Sequence, residues 1–125
     1  MTQILYIGIG GFFGSVSRFL VSRFIGGLWP SFPWGTLVVN VSGSFVLGLI
    51  GYLVFYGRSL SPDMRGLITI GFIGAYTTMS TFAFESFRIA ELSDYLAFTF
   101  NILLNVGLCL LAVFLGRQLA ILMVR

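Results

Sequence analysis

The sequence predicts an all-α integral membrane protein with four transmembrane helices. Three observations carry that reading. Hydrophobic residues make up 58% of the 125-residue chain and charged residues only 9%, whereas about a quarter of a soluble domain is charged. Mean hydropathy is +1.02. The apolar residues fall into four runs long enough to cross a hydrocarbon core, separated by short segments that hold all three prolines. No length remains for a separate soluble domain, so residues 1–125 are expected to form a single membrane domain.

The first span covers about residues 4–25. No Lys or Arg precedes it, so it lacks the charged start of a signal peptide and is expected to remain as a transmembrane helix. Gly26-Gly27-Leu28-Trp29-Pro30-Ser31-Phe32-Pro33 reads as a turn, with Trp29 and Trp34 in an interfacial aromatic belt. The second span covers about 34–56, and Gly57 to Asp63 forms a short polar loop. Ser61 is a candidate cap for the third helix, with Pro62 in its first turn. The third span covers about 64–88, and Ser93 or Asp94 caps a fourth over about 95–115.

Four spans place both termini on one side of the membrane. That side collects Arg58, Arg65, Arg117 and Arg125; the other has Arg23 and Arg88, with Arg18 if it reaches the surface. So small a bias permits insertion in both orientations. A net charge of +3, scattered over segment ends, gives no footprint for nucleic acid. The single cysteine, Cys109, excludes an intrachain disulfide and a cysteine-rich metal site. With no His or Lys and no acid at mid-span, there is no nucleophile–base pair for an enzyme.

The third span contains the stretch around which the chain is organised: Gly71-Phe72-Ile73-Gly74-Ala75-Tyr76-Thr77-Thr78-Met79-Ser80-Thr81-Phe82. Two glycines and four hydroxyl residues at mid-span fit a broken helix, whose freed backbone groups Ser and Thr can satisfy. They equally fit close helix packing through small residues. Other spans carry polar stripes. In the first, Gly11, Gly14, Ser15, Arg18 and Ser22 fall near one face. Arg18 lies about 21 Å along that helix, where it either snorkels to the headgroups or serves a functional site. Asn40 in the second span is either an interhelical clamp or a ligand contact. Asn101, Asn105 and Cys109 align at i, i+4, i+8 in the fourth, as the wall of an aqueous track would.

These intramembrane groups are amides, hydroxyls and one arginine; Asp63, Glu85, Glu91 and Asp94 are assigned to loops or helix ends. Neutral N–H and O–H donors suit an anion, and phenylalanine ring edges can add to them. A proton- or cation-coupled transporter needs a buried carboxylate. A small multidrug-type exporter also has four spans but needs that carboxylate in its first span, where this chain has none. A non-conducting membrane assembly subunit would use the same glycine stripes for packing alone.

Gly10 to Phe19, Trp34 to Phe45 and the Gly-Phe-x-Gly-x-x-Thr-Thr-x-Ser-Thr-Phe stretch resemble the Fluc-type fluoride channels, also known as the CrcB family. The resemblance covers three of the four spans in order, in a chain of the family's length. It implies an antiparallel, dual-topology homodimer in the bacterial inner (plasma) membrane, with two pores passively exporting fluoride. It also implies a third helix broken at mid-membrane and a sodium ion at the dimer centre, held by backbone carbonyls that by position belong to Gly74 and Thr77. Asn40 would contact fluoride, Ser80 and Thr81 would follow the break, and Phe82 would offer a ring edge. Met79 stands where the family has a second phenylalanine, a departure from the pattern. Asn101, Asn105 and Cys109 occupy the place of the family's hydroxyl track, and Arg18 becomes a candidate for the pore vestibule.

Overall fold

The computed structural model describes residues 1–125. All regular structure is helical: α1 (Thr2–Leu28), α2 (Trp34–Phe55), a third span in pieces, and α6 (Tyr95–Val124). The third span comprises α3 (Pro62–Arg65), a π-helical segment (Gly66–Ile73), α4 (Gly74–Tyr76) and α5 (Met79–Glu91). Each of the four spans is long and apolar enough to cross a membrane, the third counted as Pro62–Glu91. Only 20 of 125 residues are buried, and large apolar side chains such as Phe24, Leu96 and Leu110 point outward. That surface requires an apolar surrounding, and the chain is a multi-pass membrane protein.

Local chemistry sets the ends of the helices. Helix α1 continues through Gly26 and Gly27, which the sequence reading gave to the turn, and stops only at Trp29. The residue before a proline is driven out of the α region, and Trp29, before Pro30, has φ −137° and ψ 80°. Past α2, Gly57 adopts φ +97°, with Arg58 N–H bonded to the Leu53 carbonyl and Gly57 N–H to that of Val54. This is the Schellman closure, and it uses glycine's access to positive φ. The same closure ends α5 with Ser93 in the left-handed position, φ 61°. Ser61 accepts from Met64 N–H at 3.3 Å ahead of Pro62. Of the two candidate caps for α6, Asp94 serves, accepting from Ala97 N–H at 3.0 Å.

Helices α2 and α6 pack along most of their length, and α1 lies along the first half of the third span. The contact with α1 is made by Gly10 and Gly14, the buried residues of α1; Gly11 faces open space. A Cβ on Gly14 would strike the Phe72 carbonyl, so only glycine permits this approach. After α4 the third span changes partners: α5 packs on α6 and α2 and makes no contact with α1. The exchange of partners falls where the helical backbone is interrupted, at Thr77 and Thr78.

Candidate functional site

Thr77 (φ −75°, ψ 154°) and Thr78 (φ −149°, ψ 116°) are extended, so the backbone groups around them need other partners. Asn40 on α2 supplies two. Its Oδ1 accepts from Thr78 N–H at 2.8 Å, and its Nδ2 donates to the Thr78 carbonyl at 3.0 Å. The Thr78 hydroxyl caps α5 by accepting from Thr81 N–H at 3.2 Å. Two of the carbonyls at the end of α4 lose their α-helical partners in this way. The Gly74 carbonyl would bond Thr78 N–H, now held by Asn40, and the Thr77 carbonyl would bond Thr81 N–H, now held by the Thr78 hydroxyl. Gly43 lets α2 approach this point, lying directly against the Thr77 methyl.

The second N–H of Asn40 donates to Asn105 Oδ1 at 3.1 Å, so both amide donors of Asn40 are engaged. Asn105 in turn donates to Asn101 Oδ1 at 3.0 Å. A cleft of about 290 Å³ opens beside this cluster, lined by Asn40, Thr77, Thr78, Phe82, Asn105 and Cys109 with Met79 at its edge. No ionisable acid or base other than the Cys109 thiol lines it. Phe82 is 6% exposed, whereas Met79 is 72% exposed.

The structure thus gathers Asn40, Thr77, Met79, Phe82, Asn105 and Cys109 around one cleft. Asn101 lies behind the wall with no exposure at all. Ser80 and Thr81 are exposed on the outer side of α5, and Gly74 is exposed on α4; none lines the cleft. Arg18 is half-buried on α1 and also stands apart from it.

Two residues escaped the sequence reading. Ser86, buried on α5, accepts from Asn101 Nδ2 at 2.9 Å. Glu85, assigned to a helix end, lies in the interior of α5, and its Oε2 is buried without a hydrogen-bond partner. The side chain it meets is Thr36, one turn before Asn40 on α2. The i, i+3, i+4 spacing of Phe82, Glu85 and Ser86 was the available signal, because it puts all three on the face of α5 turned toward the cleft.

Residues 5–117 match the family model described as CrcB-like protein, Camphor Resistance (CrcB). A protein of Methanosarcina acetivorans named fluoride-specific ion channel FluC 1 is 49% identical over 117 residues, covering 94% of this chain and 89% of its own. Proteins named fluoride-specific ion channel FluC are similar too. That of Methanococcus maripaludis is 50% identical over 120 residues, with 94% of each chain covered. That of a Shewanella species is 44% identical over 120 residues, covering 95% of this chain and 96% of its own. With a family model spanning nearly the whole chain and relatives this similar end to end, the chain belongs to the CrcB family.

Proposed function

We propose that this protein is a fluoride-selective channel, not an enzyme, which lets fluoride leave the cytoplasm passively. The observation that carries the reading is the cleft at the interruption of the third span. It sets neutral amide and hydroxyl groups and an aromatic ring among apolar side chains such as Leu47 and Val106, in a chain 44–50% identical to proteins named as fluoride-specific channels. Fluoride is small and strongly hydrated, so a pathway must replace its water with donors at short range and divide them among sites weak enough to leave. Asn40 offers such a donor by exchanging its bond to Asn105 for the anion while keeping its paired bonds to Thr78. Phe82, buried, and Met79, exposed, line the same space. Asn105 and Cys109 continue the wall along α6.

The interruption at Thr77–Thr78 falls half-way along Pro62–Glu91, which places it near mid-membrane in this reading. The functional unit is an antiparallel, dual-topology homodimer with two pores, consistent with the small arginine bias and with apolar surface left open on a chain of 125 residues. The Gly74 and Thr77 carbonyls, deprived of their helical amides, are the oxygen donors a sodium ion takes at an unwound helix. A bound sodium would supply fixed positive charge at the dimer centre. The membrane is the prokaryotic plasma membrane, the bacterial inner membrane of the sequence reading.

Purified protein in liposomes tests the function. Rapid loss of internal fluoride with negligible loss of chloride is expected. Absence of flux from liposomes that contain folded protein would favour an assembly subunit instead.

A further inference from the structure

Resting on the pathway reading above, the geometry points to Ser86 as a positioning residue that anchors, as acceptor, the α5 end of a hydrogen-bond chain ending on Asn40. Ser86 Oγ donates its single hydrogen to the Phe82 carbonyl at 2.7 Å, one turn back on α5. A hydroxyl so committed has only lone pairs left to offer. Asn101 must therefore present its Nδ2 to Ser86, and does so at 2.9 Å. That turns Asn101 Oδ1 toward Asn105, which must answer with its own Nδ2, at 3.0 Å. Asn105 Oδ1 is then left to face Asn40, and it accepts from Asn40 Nδ2 at 3.1 Å.

The far end demands the same direction independently. Thr78 N–H requires an oxygen from Asn40, which leaves the Asn40 Nδ2 hydrogens for the Thr78 carbonyl and for Asn105. Both ends agree, every link pairs a donor with an acceptor, and a reversed amide anywhere would bring like groups together. Asn40, Ser86, Asn101 and Asn105 are all at most 8% exposed, so water cannot easily mend a broken link. The chain leaves α5 at Thr78, passes through α2 and α6, and returns to α5 at Phe82. It thus ties the interruption, the donor amide and the aromatic residue into one closed circuit. Asn101 and Asn105 act as links of that circuit, and Asn105 lines the cleft as well.

The test compares Ser86→Ala and Ser86→Thr with the full-length wild type in lipid. Two readouts are used: fluoride efflux, and hydrogen–deuterium exchange at the Thr78 amide. Ser86→Ala strands a buried Asn101 donor, and flux is expected to fall about tenfold, the effect of one such unpaired group. Thr78 exchange should rise by a similar factor, while amides at the distant α2–α6 crossing near Gly48 keep their protection. Ser86→Thr retains the hydroxyl and should restore both. The proposal is overturned if Ser86→Ala leaves flux and Thr78 exchange as in wild type, or if protection falls equally everywhere. Should Ser86→Ala not fold, Ser86→Cys nearly keeps the volume with a weaker acceptor for Asn101 and takes its place under the same criteria. Wild type supplies a further check: a Thr78 amide exchanging as fast as those of Met79 and Ser80 overturns the circuit outright. The exchange readout does not depend on Asn40 meeting fluoride. If Asn40→Leu conducts normally, the pathway reading fails while the circuit is still judged at Thr78.

Discussion

Replacing Asn40 with leucine conserves approximate size but removes two donors and one acceptor. Three buried groups lose partners: Thr78 N–H, the Thr78 carbonyl and Asn105 Oδ1. Each orphaned group costs about 1–3 kcal/mol, so the sum before relaxation is about 3–9 kcal/mol. Asn105 and Thr78 both line the cleft but are nearly enclosed, at 4% and 6% exposure, so water recovers little of that loss. The two backbone groups of Thr78 alone account for about 2–6 kcal/mol of it. Asn40→Leu should lower the thermal unfolding midpoint in detergent and speed exchange at Thr78, and the protein that still assembles should carry almost no fluoride. Size-exclusion elution, thermal unfolding and liposome efflux on the same preparation separate these effects. A mutant that melts and conducts like wild type would refute both the clamp and the donor role of Asn40.

Five further outcomes are expected. Met79→Phe should change flux only a few-fold, about 1 kcal/mol or less of barrier, because Met79 is an exposed, compliant side chain at the edge of the cleft. Phe82→Ile should cost far more, and wild-type flux in that mutant would remove Phe82 from the pathway. Mercuric ion should block wild-type flux through Cys109, the only cysteine, and spare Cys109→Ser; continued flux through fully modified protein would place the pathway elsewhere. Exchanging sodium for a bulky organic cation during purification should weaken assembly or activity, whereas Thr77→Val, which leaves the carbonyl in place, should keep the ion. Indifference to sodium with no retained ion counts against Gly74 and Thr77 as ligands. Ser93→Gly should stabilise the protein by about 1 kcal/mol by relieving a left-handed backbone, and an unchanged or lower unfolding midpoint would contradict that.

The parts of the fold legible in the sequence are those decided within one helix or one loop. Hydropathy marks the four spans, Pro30 stops α1, and the Ser61-Pro62 and Asp94 caps are side-chain-to-backbone bonds made over three residues. The glycines and hydroxyls at Gly71 to Thr81 allowed an interruption, but the same letters also allow tight packing. Only the partners of Thr78 distinguish the two. The π-helical turns of Gly66–Ile73 left no trace in composition, and they lie where α1 presses closest, against Leu67 and Phe72. The amide circuit was half visible. The i, i+4 spacing aligned Asn101 with Asn105, yet their partners on α2 and α5 depend on how three helices are rotated about one another. Periodicity within a single helix carries no such information, so Asn101 reads as a wall residue although it is fully enclosed. Glu85 was misplaced for a similar reason: proximity to a predicted helix end stood in for its surroundings.

The central claim is passive, fluoride-selective conduction, and a bi-ionic current recording tests it most directly. With fluoride on one side of a planar bilayer, chloride on the other and equal pH, current through the wild-type protein should reverse close to the limit set by fluoride alone. Imposing a pH gradient should not shift that reversal. A reversal near zero would contradict selectivity, and one that follows the proton gradient would identify a coupled exporter in place of a channel.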